Sequence, residues 1–237
     1  MATVLRMVEK QIALWELKRR WEDLRQRPGR HWKGGVGYGP CLVVSRQRGS
    51  GGSQLARLVG QRLGWHVFDR EILDEIGRLA HVRLQVLESV DEPIRASWED
   101  AWRAGLAPAD IGCDAYFTYL RQVVMTLGHH GDVVILGRGA QYVLPSGCAL
   151  RVRVVAPLSV RVQRVAERAG LSLEQAQKDI EEFDAQRAAF VREGFQADLG
   201  SPLNYDLVLN TAEISLEAGA ELAFLALRDK LGVQTHG

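Results

Sequence analysis

A short apolar run, Cys41 to Val44, enters Ser45-Arg46-Gln47-Arg48-Gly49-Ser50-Gly51-Gly52-Ser53, and a helical pattern leaves it. Strand, glycine-rich turn and helix, in that order, let backbone N–H groups converge on an anion at a helix N-terminus. The usual phosphate-loop pattern is G-x-x-x-x-G-K-[ST]. Gly51 and Ser53 fit its second half, but Gly52 stands at the lysine position and Arg46 at the first glycine. On this reading Arg48, Gly49, Ser50, Gly51 and Gly52 cradle phosphate, and the Ser53 hydroxyl meets a magnesium ion. Arg46 and Arg48 supply the charge that Gly52 lacks. The plain alternative is a Gly/Ser turn that joins strand to helix and binds nothing.

Beyond the loop, apolar runs alternate with helical stretches. Cys41 to Val44 reads as the first strand and Gly52 to Leu63 as a helix; Trp65 to Phe68 reads as the second strand and Arg70 to Ala80 as a helix. Residues 92 to 112 read as irregular, and Asp114 to Leu127 as a helix. Asp132 to Leu136 and Leu150 to Val155 read as strands, Leu158 to Ala169 and Leu173 to Glu193 as helices. Leu207 to Leu209 reads as the last strand and Ser215 to Leu231 as a closing helix. This alternation predicts an α/β fold: a parallel five-stranded sheet with helices on both faces, three layers in all. Such sheets bind ligands beyond the C-terminal ends of their strands.

Upstream, residues 2 to 27 carry apolar positions near helical spacing, and Arg27-Pro28-Gly29-Arg30 ends the pattern. Residues 1 to 38 are therefore expected as an amphipathic helix and linker, residues 39 to 237 as the main domain, with a lid over about 170 to 200. The helix is expected to pack on the domain or on a second copy of the chain, giving a homo-oligomer. Glu9, Glu16, Glu22 and Asp23 dilute its charge, which argues against membranes and nucleic acid.

The bulk numbers exclude several classes. A net charge of +1 gives no global field for nucleic acid or anionic membrane. Cys41, Cys113 and Cys148 are far apart with no C-x-x-C spacing, so neither a disulfide framework nor a zinc site is expected. No apolar run is long enough to span a bilayer, and charges at Arg6, Glu9 and Lys10 interrupt the first apolar stretch, so a cytoplasmic location is expected.

Two further strand ends carry polar groups. Asp69 closes the second strand, where an acid holds magnesium or an acceptor, or simply caps the next helix. Gly137-Arg138-Gly139-Ala140 follows Val133-Val134-Ile135-Leu136; the flanking glycines aim the Arg138 guanidinium at an acceptor phosphate, or the arginine belongs to a surface turn. Arg161, Arg164 and Arg168 share a helix face, as do Asp184 and Arg187. They suit a lid that neutralises a transferring phosphoryl group, or a solvated face paired with Glu167, Asp179, Glu181 and Glu182.

Taken in chain order, Ser45-Arg46-x-x-Gly49-Ser50-Gly51-Gly52, Phe68-Asp69-Arg70-Glu71, Gly137-Arg138-Gly139-Ala140, Asp184-x-x-Arg187 and Tyr205-Asp206-Leu207-Val208-Leu209-Asn210-Thr211 resemble the cytidylate kinase-like family. The resemblance covers about residues 41 to 232. It implies a P-loop kinase fold with a helical lid, ATP and Mg2+ as cofactors, and a nucleoside monophosphate or related small phosphate as acceptor. Arg46, Arg138 and Arg187 would act in catalysis, and Arg164 and Arg168 would face the nucleotide. Asp69, Arg138, Asp184 and Arg187 would bind the acceptor; Ser53 and Asp69 would serve the metal. Authentic cytidylate kinases have lysine where Gly52 stands, and aspartates at the positions of Leu136 and Gly139. A nucleotide-binding pseudokinase is therefore the second expectation.

Overall fold

The computed structural model describes residues 38–69 and 113–233. The expected N-terminal helix, the helix Arg70 to Ala80 and the irregular stretch 92 to 112 lie outside the described residues. Within them the chain runs β1 (Cys41–Arg46), α1 (Gly52–Leu63), β2 (His66–Phe68), α2 (Cys113–His130), β3 (Val133–Leu136) and α3 (Ala140–Val143). It continues through β4 (Ala149–Val155), α4 (Leu158–Ala169), α5 (Leu173–Phe195), β5 (Leu207–Asn210) and α6 (Leu216–Leu231). All five strands are parallel, in the order β2-β3-β1-β4-β5.

The uninterrupted apolar runs sit in the middle, where both faces of a strand are covered. Cys41 to Val44 and Val133 to Leu136 are at most 1% exposed. Period-two alternation divides their side chains between two cores. Leu42 and Val44 face α1 and α6, among Leu55, Val59, Ala223 and Leu227. Cys41 and Val43 face α2, among Leu120, Val124 and Leu127. A third cluster, Val162, Val165 and Ala166 with Ala176 and Ile180, binds α4 to α5.

The element boundaries differ from the sequence reading at informative places. β1 continues through Ser45 and Arg46, because their backbones pair with Arg153 and Val154 of β4 whatever their side chains are. α5 runs on to Phe195, whose ring docks on Tyr142 and Phe117. Its start is a reciprocal capping box between Ser172 and Gln175. No helix among the described residues is long and apolar enough to cross a membrane. Cys41 and Cys148 are buried free thiols.

Candidate functional site

The loop from Gln47 to Gly51 leaves β1 at the C-terminal edge of the sheet and turns into α1. Gly49 and Gly51 have φ of 79° and 81°, a left-handed backbone that glycine adopts without Cβ strain. Gly51 is also the N-cap of α1 and has no side chain to cap with. The first-turn N–H groups of a helix have no intrahelical acceptor, so this end of α1 presents donors and positive dipole to an anion.

Around the loop the structure gathers guanidiniums from three elements. Arg48 donates its backbone N–H to Asp184 Oδ1 at 2.9 Å, and its Nε meets Asp179 Oδ2 at 2.8 Å. Arg161, 7% exposed, donates to Asp184 Oδ2 at 2.6 Å, to the Ala156 carbonyl at 2.9 Å and to the Arg48 carbonyl at 3.2 Å. Arg187 Nη1 lies 3.3 Å from both Asp184 Oδ1 and the Arg46 carbonyl. Burial first, with help from the like charges of Arg48 and Arg153, lowers the pKa of Arg187 despite Asp184 beside it. Arg153 donates to Ser45 Oγ at 2.6 Å, on the neighbouring strand.

The Asp184 carboxylate is thus an oxyanion held by a loop N–H and two guanidiniums. That donor set fits phosphate oxygens for the same reason: charge-assisted N–H donors converge on one oxyanion in a half-buried place. Among the described residues no cluster of three His, Cys, Asp or Glu side chains forms a metal site. A Mg2+ ion held chiefly by phosphate oxygens and water asks the protein for little more than a hydroxyl, and Ser53, in the first turn of α1, carries one.

The other expected residues take separate places. Arg164 donates to Thr211 Oγ1 at 3.0 Å and to the Thr211 carbonyl at 2.7 Å, and Thr211 Oγ1 donates to the Ser50 carbonyl at 2.7 Å. Arg168 reaches Gln54 Oε1 at 3.2 Å. Arg164 thus ties α4 to the residue that follows β5, and Arg168 ties it to α1. Arg138 has a φ of 54° between the left-handed Gly137 and Gly139, and its guanidinium lies 4.7 Å from the Phe190 ring centroid on α5. A non-glycine residue held there costs about 1 kcal/mol or more and marks a constrained turn. Asp69 follows β2, which β3 separates from β1, so it stands about 10 Å across the sheet from the loop's strand.

Some of this arrangement is not readable from spacing. Asp179 belongs with Arg48 across the loop, not with the arginines of α4, and the Arg48 guanidinium also stacks 4.2 Å over Phe183. Arg161 is a buried tie rather than a free lid cation, and its i, i+3 relation to Arg164 gave no sign of that. Tyr205, whose hydroxyl lies 3.4 Å from Ser45 Oγ and 2.9 Å from the Leu199 carbonyl, closes the flank near Arg153.

Residues 42–213 match the cytidylate kinase-like family. A cytidylate kinase of Desulfurococcus amylolyticus is 28% identical over 199 residues, covering 83% of this chain and 96% of that one. A cytidylate kinase of Natronomonas pharaonis is 36% identical over 84 residues, 35% of this chain; the match spans only 44% of that relative. A crystal structure from Eubacterium ventriosum, of a protein described as uncharacterized, superposes with a TM-score of 0.62 at 14% identity, covering 79% of this chain and 98% of that one. The fold is the α/β fold of P-loop kinases, and this chain belongs to the cytidylate kinase-like family.

Proposed function

We propose that the protein is an ATP-dependent phosphotransferase whose acceptor is a nucleoside monophosphate, cytidylate-like, or a related small phosphate. The observation that carries this reading is the oxyanion pocket at the loop: the Arg48 N–H and the guanidiniums of Arg161 and Arg187 already hold a carboxylate. Phosphoryl transfer is mostly positioning and charge neutralisation, so such a pocket is the principal thing it needs. The loop from Arg48 to Ser53 would hold the ATP phosphates, with Ser53 and, through water, Asp69 serving Mg2+. When bound, that ion supplies charge neutralisation between phosphate oxygens. Arg138 would grip the acceptor phosphate, and Arg187 would turn from Asp184 to the transferring group. The names of the relatives favour a cytidylate-type acceptor.

Coupled assays with ATP and CMP, dCMP or UMP test the reading. Turnover in the native protein that falls in Arg138→Ala is expected; turnover no higher than that of Arg138→Ala for every acceptor overturns it.

A second reading rests on the same contacts. Asp184 and Asp179 neutralise the cations that a kinase would aim at phosphate, and position 52 carries no lysine. A nucleotide-binding pseudokinase with a regulatory role would keep the pocket and lose the turnover. It predicts a higher melting temperature with ATP and Mg2+ but no product.

A further inference from the structure

The first and seventh positions of the loop, Arg46 and Gly52, are in contact. A Cβ built on Gly52 would lie 2.5 Å from Arg46 Cβ, 3.2 Å from Arg46 Cγ and 3.1 Å from Val154 Cβ. Any side chain at 52 therefore collides with the stem of Arg46 and the wall of β4 behind it. Gly52 is buried beneath that stem. At its other end, Arg46 Nη1 occupies the space where a Cβ on Gly137 would project. The arginine is laid across two glycines: one under its stem at the start of α1, one under its guanidinium at the end of β3.

That path carries the charge along the C-terminal edge of the two central strands, which are joined there by the Gly137 N–H donating to the Val44 carbonyl at 3.0 Å. Ligands of open parallel sheets bind along this edge. The usual phosphate loop has glycine first and lysine seventh; this loop has arginine first and glycine seventh. Arg48, the other cation in the loop, is turned away to Asp179 and Phe183 of α5.

We propose that the loop has exchanged its glycine and its cation: Arg46 is the phosphate-binding cation, and glycine at 52 is the condition for its presence. The space between positions 46 and 52 admits one bulky side chain. A lysine at 52 excludes an arginine at 46, and the reverse. A guanidinium binds phosphate through two parallel N–H bonds where an ammonium acts as a point charge, so the exchange also changes how phosphate is gripped. This inference rests on the reading of the loop as a nucleotide-phosphate site and names the cation of that site.

Four variants test it: Arg46→Gly, Arg46→Met, Gly52→Lys, and the double variant Arg46→Gly/Gly52→Lys. Melting temperatures and calorimetric titrations with ATP plus Mg2+, and with inorganic tripolyphosphate, are measured for each. Arg46→Met keeps a stem over Gly52 without the charge; it should melt near the native temperature and bind both ligands about 10- to 100-fold more weakly. Gly52→Lys alone should melt well below the native protein. The double variant should regain most of that loss and bind both ligands within about tenfold of native, although Arg46→Gly alone binds poorly. Native-like affinity in Arg46→Met, or a double variant no more stable than its two single changes predict, overturns the exchange while leaving the phosphate site intact. Absence of binding by the native protein to either ligand overturns the site reading and this inference together.

Discussion

Asp184 accepts from three donors: the Arg48 backbone N–H at the loop, and the guanidiniums of Arg161 and Arg187, two charges that it holds together against their mutual repulsion. Arg161 is the most costly to strand, since it is only 7% exposed and its charge is largely withdrawn from water. Asp184→Asn keeps the shape and removes the charge. It should lower stability by about 2 kcal/mol, read as a shift in the urea midpoint at constant slope. Cys41 makes a separate residue-scale prediction. Burial, with Cys148 and Asp132 nearby, pushes its thiol pKa well above the ordinary value. The thiolate is the reactive form, so Cys41 should resist alkylation at pH 8 in the folded protein and react once it unfolds. Because the folded state holds that proton more tightly than the unfolded chain, the stability it confers is intact below about pH 8.5 and is lost as the pH rises beyond it. Denaturation at pH 7 and pH 10 should therefore show the weaker protein at the higher pH, with a smaller difference in Cys41→Ala.

Among the elements, α5 does the most to join the site. Its middle carries Asp179, Asp184 and Arg187 to the loop; its C-terminal end inserts Phe190 and Phe195 against Phe117, with ring centroids 4.9 Å and 5.8 Å away. That docking needs a close approach at Gly194, where any Cβ would enter the Phe117 ring, and the Gly194 carbonyl accepts from Arg121 Nη2 at 2.7 Å. Gly194→Ala should push the helix end off α2 and cost about 2 kcal/mol, with faster amide exchange over 188–196 than over the α5 N-terminus. Ser172→Ala removes the cap at the other end. It should cost about 1 kcal/mol and raise exchange in the first turn alone.

The whole molecule responds through its ligand. A ligand that binds only the folded state stabilises it by about 2.7 kcal/mol at one hundred times its dissociation constant. Titrating ATP with Mg2+ should thus raise the melting temperature in steps that follow the logarithm of concentration. The same titration in Asp184→Asn separates two roles of that carboxylate: if it occupies the oxyanion place, the variant gains more from ATP than the native protein does.

The succession of strands along the chain and the two-faced sheet were legible because burial writes them into the chain. Cys41 to Val44 and Val133 to Leu136 are apolar at every position, and such runs become central strands of a parallel sheet. The glycines at 49 and 51 marked the loop, and Gly52 marked the missing lysine, from identity and spacing alone. What the pattern could not contain is which charges meet. Asp179 lies one turn from the other acids of α5, yet it pairs with Arg48, 131 positions earlier, and Arg161 is sealed where a solvated helix face was the plain expectation. Periodicity reports the face on which a residue lies, since that depends on neighbours along the chain. The partner a charge finds, and the contact that lays Arg46 over Gly52 and Gly137, depend on how separate elements close against each other. Only the tertiary structure decides that, because the desolvation that makes those pairings obligatory arises when the elements pack.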